Sequence, residues 1–168
     1  MNRPHQLTFM QQSTGLAAWL FFVFLAAGIG GYASSQAPTF YKALERPEWA
    51  PPAWLFGPAW GVLYTLMGIS AWLVWRQKGF AGARLAFVLF FAQIAVNALW
   101  TWLFFVWQLG AIATAEILVL WLLIAATGLV FYRDHKTAAV LLAPYLAWVS
   151  FAGALSYTLW QMNPQTLG

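Results

Sequence analysis

Five long apolar runs dominate this 168-residue sequence and constrain its fold more than any other feature. A helix that crosses a bilayer needs about 20 predominantly apolar residues, because the hydrocarbon core is about 30 Å thick and a helix rises about 1.5 Å per residue. The runs cover about residues 15–34, 53–75, 85–107, 112–132 and 138–160, with Glu116 the one acidic residue among them. The sequence therefore predicts an all-α membrane protein built as a five-transmembrane-helix bundle.

The composition leaves little of the chain for anything outside these spans. Apolar residues make up 62% of the sequence and charged residues 7%, which is too few charges to cover a soluble domain of this size. We expect residues 1–168 to form a single membrane domain with an uncleaved first helix. Any functional site must then lie inside the bundle or at one of its rims.

Basic residues between the spans predict the orientation of the chain, because short loops rich in Lys and Arg stay on the inner side of a membrane. The connection after the first span carries only two basic residues, Lys42 and Arg46. The N-terminal tail and the second and fourth connections carry Arg3, Arg76, Lys78, Arg84, Arg133 and Lys136. We expect an integral protein of a bacterial membrane with its N-terminus inside. The longest loop, residues 35–52, then lies on the outer face, where it can act as a lid.

Conventional catalytic and metal chemistry has little support in the sequence. There is no cysteine, which excludes disulfides, thiolate metal sites and cysteine nucleophiles. The two histidines, His5 and His135, lie in the tail and in a loop, far from the centre of any span. The glycine motifs of phosphate-binding loops and nucleophile elbows are missing, and the net charge of +4 fits membrane orientation better than nucleic-acid binding. We expect no metal, no obligatory cofactor and no nucleic-acid partner.

Polar residues of the third span follow one helical face. Gln93, Asn97, Thr101 and Phe104 are spaced i, i+4, i+8 and i+11, and Trp100 lies beside them. A polar side chain in hydrocarbon costs free energy unless it meets protein, water or a ligand, so this face should point inward. It either bonds to neighbouring helices or lines a cavity.

The second and fifth spans combine aromatic rings with small residues. Trp60 and Tyr64 lie beside a small-residue stripe that lets another helix approach closely. On the fifth span, Trp148, Ala152 and Ser156 are spaced i, i+4 and i+8, which places one ring above two small residues and leaves a slot. The stripe on the second span consists of Gly57, Gly61, Thr65 and Gly68.

Three stretches of the sequence combine tryptophan with proline, asparagine or small residues: WAPPAWLFGPAWGVLY at 49–64, NALWTWLFF at 97–105 and PYLAWVSFA at 144–152. Together they resemble the TspO/MBR family of mitochondrial and bacterial membrane proteins. The resemblance covers about residues 15–162 and implies five helices, commonly a homodimer, and a pocket beneath the first loop. Such a pocket binds porphyrins and synthetic ligands such as isoquinoline carboxamides. The resemblance also implies a role in light-dependent porphyrin breakdown and, in mitochondrial members, cholesterol binding.

The same resemblance implies which residues bind the ligand. Two positions depart from the family: Ser156 stands where the family often has asparagine, and SYTLWQMNPQ at 156–165 lacks the basic residue that the cholesterol motif needs. We therefore expect a porphyrin or related tetrapyrrole as the ligand, with a sterol or lipid as the alternative. The ligand-binding residues carried over are Tyr41, Trp60, Tyr64, Asn97, Trp100, Trp148 and Ala152.

Three functions remain open on these residues. The first is a membrane receptor or sensor that binds porphyrins and regulates tetrapyrrole levels or stress responses, and this is the one we expect. The second is a light- and oxygen-dependent porphyrin-degrading enzyme, for which Trp60 and Trp148 are the candidate catalytic residues because an excited porphyrin can exchange an electron with a nearby indole. The third is a transporter of tetrapyrroles or sterols.

Three further features carry expectations. Lys42 and Arg46 in the lid either bind the carboxylates of a ligand or pair with Glu45 and Glu48. Glu116 should have a structural role near the outer rim, where its carboxylate can reach the interface or a neighbouring helix. A homodimer would pair through small residues, either Gly82 with Ala86 or the series Ala26, Gly30 and Ser34.

Overall fold

Five helices of membrane-spanning length make up most of the protein, which confirms the predicted bundle. The computed structural model describes residues 8–35 and 37–168; Arg3 and His5 lie outside these ranges. No strand occurs in the described residues. The long helices are α1 (Phe9–Ala33), α3 (Phe56–Gly82, after a 3-10 turn at Ala53–Leu55), α4 (Arg84–Thr101, continued by a π-turn at Trp102–Val106), α5 (Gly110–Asp134) and α6 (Lys136–Met162). Two short helices, α2 (Ala37–Ala43) and α7 (Pro164–Leu167), lie before the second span and at the C-terminus.

Helix α1 begins before its apolar run, because polar residues support its first turns. The Thr8 side chain accepts a hydrogen bond from the backbone N–H of Gln11, and the Gln11 side chain accepts one from the backbone N–H of Thr8. This reciprocal capping satisfies two of the N–H groups that the start of a helix leaves unpaired. The apolar run marks the part of α1 that lies in hydrocarbon, whereas the helix itself starts at Phe9.

The five long helices pack in a closed ring whose order is α1, α3, α6, α5, α4 and back to α1. The contact of α1 with α3 depends on Gly68, where an added side-chain carbon would lie 2.9 Å from Leu20 Cδ2 and 3.1 Å from Val23 Cγ2. Deeper in the bundle, the rings of Phe90 and Phe131 stack at 6.0 Å between α4 and α5. The ring encloses an apolar core along most of its length.

One end of the bundle carries most of the basic residues. Lys78 Nζ lies 3.4 Å from Asp134 Oδ1, so the ends of α3 and α5 are neighbours. Trp72 Nε1 donates to the carbonyl oxygen of Gln12 at 3.0 Å, which places the start of α1 at the same end. The helices therefore alternate in direction as the five spans require. The side of the membrane on which this end lies stays a prediction.

The small residues expected at a dimer contact pack largely within the chain. Ala86 is 1% exposed and Ala26 is 8% exposed, and both belong to the core. Gly30 faces Thr101, whose Oγ1 atom would lie 3.4 Å from a side-chain carbon added at the glycine. Ala26, Gly30 and Ala86 therefore pack within one chain, whereas Gly82 is exposed, and the dimer contact stays a prediction.

Candidate functional site

A cavity of about 570 Å³ opens between α1, α3, α4 and α6 at the end of the bundle opposite the basic residues. Helix α2 and the 3-10 turn cover its mouth. Most of its wall is carbon, from aromatic rings and small residues, and few polar groups reach it. Its volume lies within the range of roughly 300–1,000 Å³ of pockets that bind small organic ligands.

All seven residues expected to bind ligand lie in the wall of this cavity. The structure places Tyr41 on α2, Trp60 and Tyr64 on α3, Asn97 and Trp100 on α4, and Trp148 and Ala152 on α6. They come from four separate segments of the chain, which the ring order brings to one place. Their role in binding a ligand stays a prediction.

The polar face of α4 divides between the cavity and the core. Asn97, Thr101 and Phe104 line the cavity, whereas Gln93 does not. Gln93 lies about one helical turn deeper, roughly 6 Å further from the mouth, and is fully buried. Both of its amide atoms lack a hydrogen-bond partner in the described part of the chain. This face of α4 therefore lines the cavity from Asn97 towards the mouth, and at Gln93 it is part of the core.

Aromatic rings form two walls of the cavity. The indoles of Trp60 and Trp148 meet edge to face, with centroids 6.5 Å apart and an interplanar angle of 80°. On α4, Trp100 stacks on Phe104 at 5.2 Å with the planes 13° apart. Trp100 Nε1 is buried and has no partner in the described residues, so it has an N–H group to donate. Flat apolar faces with a few donors suit a large aromatic ligand.

The innermost polar groups of the cavity are bonded to each other. Asn97 Nδ2 donates to the Tyr64 hydroxyl oxygen at 2.9 Å. Asn97 is 2% exposed and Tyr64 is 6% exposed, so the bond lies almost out of reach of solvent. Because the Tyr64 oxygen accepts this bond, its own O–H remains to donate to a ligand. The pair gives the apolar cavity one specific polar contact.

The expectation that the glycine stripe of α3 packs against another helix is met at Gly68 but not at Gly57 and Gly61. Gly68 does contact α1, but a side-chain carbon added at Gly57 or Gly61 would meet no described atom within 4 Å. Both of these glycines line the cavity. The inner part of the stripe brings α1 close, and the outer part leaves the space that the cavity occupies.

The predicted lid is partly helical and is packed onto the bundle. Tyr41 and Leu44 are buried against the π-turn after α4 and against α5 and α6, at the end of the bundle opposite most of the basic residues. The Tyr41 hydroxyl donates to the Pro51 carbonyl oxygen at 3.0 Å, which ties α2 to the end of the loop. Burial raises the pKa of Tyr41 above its ordinary value of 10.0, and the nearby Arg46 only partly opposes this. The hydroxyl is therefore protonated at neutral pH and can donate.

Asn163, directly after α6, fastens the lid through its side chain. Its Oδ1 atom accepts from the Glu45 backbone N–H at 2.8 Å, and its Nδ2 atom donates to the Glu45 carbonyl oxygen at 2.9 Å. The two bonds join segments that are 118 residues apart in the chain. The sequence analysis missed this residue, and its position next to Pro164, past the end of an apolar run, was the only signal.

The wall that α1 supplies was also missed. Phe24, Ala27, Gly30, Gly31 and Ser34 line the cavity. Except for Ser34, this stretch of α1 is uniformly apolar or small, and a helix of that kind gives no sequence signal for which face turns inward. Only the packing of α1 against α3 and α4 identifies its inner face.

The sequence matches the TspO/MBR family over residues 16–161. It is 38% identical over 146 residues to the tryptophan-rich protein TspO of Chlorobaculum tepidum, covering 83% of this chain and 90% of the relative. It is 38% identical over 149 residues to the tryptophan-rich sensory protein of Cereibacter sphaeroides, covering 86% and 92%. It is 35% identical over 146 residues to the translocator protein of Bos taurus, covering 83% and 86%.

Proposed function

This chain belongs to the TspO/MBR family, and we propose that it is a membrane receptor that binds a porphyrin in the cavity beneath the lid and regulates tetrapyrrole levels or stress responses. One observation carries the proposal: a cavity of about 570 Å³ is walled by aromatic rings, and four helices and the lid converge on it. A sensory role agrees with the name of the relative from Cereibacter sphaeroides.

The chemistry of a porphyrin matches these walls. Its macrocycle is flat and aromatic, so it gains most from the ring faces and edges that Trp60, Trp100 and Trp148 supply. The Tyr64 hydroxyl, whose oxygen accepts from Asn97 in the cavity wall, keeps an O–H that can orient a ligand whose rim carries acceptors. The ligand would leave past α2 and the 3-10 turn, which line the mouth of the cavity.

Quenching of tryptophan fluorescence tests the proposal. Protoporphyrin is titrated into the purified protein in a neutral detergent, and the same titration is run with the variant Gly61→Leu, whose added side chain enters the cavity. We expect saturable quenching of the native protein and binding about tenfold weaker, or worse, for the variant. Equal, non-saturating quenching of both proteins would mean that porphyrin only partitions into the micelle, and the proposal would fail.

The contact between Trp60 and Trp148 favours a second function, light- and oxygen-dependent degradation of the porphyrin. Two indoles whose centroids lie 6.5 Å apart in the cavity wall could exchange an electron with an excited ligand beside them. No acid, base or metal is needed for that step. Comparison of illuminated and dark samples, with and without oxygen, separates conversion of the porphyrin from simple binding.

The remaining expectations are part of the same proposal. We propose that the N-terminus lies inside, that the membrane is bacterial, and that the chain pairs into a homodimer through lipid-facing residues. Sterol or lipid is the alternative ligand, and transport is the third function, since relatives such as that from Bos taurus carry the name translocator protein.

A further inference from the structure

A groove on the surface of the lid borders the mouth of the cavity. It encloses about 580 Å³, and its wall includes Lys42 and Arg46. Pro38, Ala53 and Trp54 line both the groove and the cavity, so these three residues form the rim between the two spaces. A ligand in the cavity whose edge passes this rim would bring that edge to the two cations.

The two cations of the groove have no carboxylate partner in the described residues. Pairing with Glu45 or Glu48 was one of the two expectations for them. Within the described residues, 8–35 and 37–168, the one ion pair found joins Lys78 to Asp134 instead. Lys42 and Arg46 are both exposed, although they lie beside an apolar mouth. Glu45 and Glu48 of the same loop do not line the groove, so the charged side chains in its wall are the two cations, which attract an anion.

Arg46 is held in a geometry that suits an anion. Its Cζ atom lies 5.1 Å from the centroid of the Tyr41 ring, and Tyr41 is itself fixed by its bond to Pro51. A guanidinium has five N–H donors, so one that contacts the Tyr41 side chain keeps others that can bind both oxygens of a carboxylate. Lys42 adds a second, more mobile donor in the same groove.

We propose that Lys42 and Arg46 form an anion subsite that binds the carboxylates of the ligand in the cavity. The inference rests on the proposed function and narrows it to aromatic macrocycles that carry carboxylates along one edge. That edge lies outward, in the groove, and the rest of the ring lies between the indoles. The same residues would recognise the phosphate of an anionic lipid, which is the other source of an anion at a membrane surface.

Binding of a diacid and of its neutral ester distinguishes these cases. Protoporphyrin and protoporphyrin dimethyl ester are titrated separately into the protein in a neutral detergent that contains no lipid. The variants are Lys42→Gln combined with Arg46→Gln, and as a control of equal charge change per site Arg84→Gln, an exposed residue at the opposite end of the bundle. Binding of the ester also reports whether each variant keeps its folded cavity.

We expect the native protein to bind the diacid about tenfold more tightly than the ester, because charge-assisted hydrogen bonds add to the ring contacts. The double variant should lose this preference and bind the ester as the native protein does. Arg84→Gln should keep the preference, and added salt should weaken binding of the diacid only.

Four outcomes would overturn the inference. If the native protein binds diacid and ester equally, the porphyrin function stands but the carboxylates are not recognised. If the preference survives in the double variant, the acids are bound elsewhere. If the double variant differs from the native protein only in vesicles with anionic lipid, and then equally for both porphyrins, the groove holds a lipid headgroup. Failure of the native protein to bind either porphyrin would overturn the proposed function as well.

Discussion

At the scale of single residues, replacing either of two tryptophans distinguishes a protein that only binds porphyrin from one that degrades it. Trp60 and Trp148 contact each other in the cavity wall, where an indole can serve as an apolar surface or as an electron donor. Phenylalanine keeps the first property and largely loses the second. Replacement by phenylalanine therefore tests the chemistry while leaving most of the contact surface in place.

We predict that Trp60→Phe and Trp148→Phe each retain porphyrin affinity within about threefold and lose most of any light-dependent conversion. Absorbance spectra recorded during illumination measure the conversion. Trp121→Phe is the matched control, because Trp121 lies outside the cavity and donates to Ser150 Oγ at 2.8 Å. Conversion at the same rate by native protein, variants and free porphyrin in detergent would leave the protein as a binder only.

Glu116 is a second residue whose role can be tested singly. Both of its carboxylate oxygens are shielded and lack a hydrogen-bond partner in the described residues, and it does not line the cavity. An unpaired buried carboxylate costs free energy, and a neutral amide of the same shape costs less. We predict that Glu116→Gln keeps porphyrin affinity within about twofold and does not lower the melting temperature. A folded variant that no longer bound ligand would contradict a structural role.

The sequence predicted the cavity residues whose side chains are exceptions within an apolar span. Asn97, Tyr64 and the indoles stand out because a polar or amphipathic group in hydrocarbon needs a reason. Gly57 and Gly61 gave a weaker signal, since a small residue can allow close packing or leave empty space. Only the positions of the neighbouring helices distinguish these two uses. Gly68 allows close packing, whereas Gly57 and Gly61 leave empty space.

At the scale of elements, one stripe of α3 both packs against α1, at Gly68, and lines the cavity, at Gly57 and Gly61. A larger side chain at Gly61 should fill the cavity, whereas one at Gly128 of α5 lies outside it; neither would meet a described atom within 4 Å of its first carbon. We predict that Gly61→Leu weakens porphyrin binding about tenfold or more and that Gly128→Leu leaves it unchanged. Circular dichroism of both variants shows whether the helices persist. Equal affinities in the two variants would place the ligand outside this cavity.

The lid is held by the packing of Tyr41 and Leu44 and by a hydrogen-bonded clamp from Asn163. Asn163 makes two hydrogen bonds to the Glu45 backbone, each contributing about 0.5–1.5 kcal/mol. We predict that Asn163→Ala raises hydrogen exchange in residues 37–50 about tenfold and speeds ligand release. Asn163→Asp, which keeps the acceptor and loses the donor, should have an intermediate effect. Exchange in this segment that did not change in Asn163→Ala would show that the clamp does not hold the lid.

The limits of prediction differ among the elements for a physical reason. Apolar runs identify the spans because hydrocarbon tolerates few polar groups, but they do not mark helix ends. The cap at Thr8 depends on polar residues before the apolar run, and α3 continues past Trp75 only to a kink at Gly79, whose φ of 62° is not helical. The clamp by Asn163 joins two distant segments, and no local pattern in the sequence records such a contact.

At the scale of the whole molecule, the ring of helices buries its polar residues and exposes apolar ones. Phe21, Leu25 and Ile29 of α1 are 72%, 54% and 52% exposed, as residues that face lipid should be. A homodimer would use a surface of this kind, because Ala26 and Ala86 are already buried in the chain. The charged residues of the described chain lie mainly at the two ends, and their imbalance predicts the orientation.

The orientation can be measured directly because the sequence contains no cysteine, so an introduced thiol is the only one in the chain. Thr39 on α2 and Gly82 at the end of α3 are both exposed and lie at opposite ends of the bundle. We predict that a membrane-impermeant maleimide labels Thr39→Cys in intact cells and labels Gly82→Cys only after the membrane is permeabilised, because the basic end stays inside. Labelling of both variants in detergent controls for access to each thiol. The reverse pattern in intact cells would place the lid and its anion groove on the inner side, and a ligand would then have to reach the cavity from within the cell.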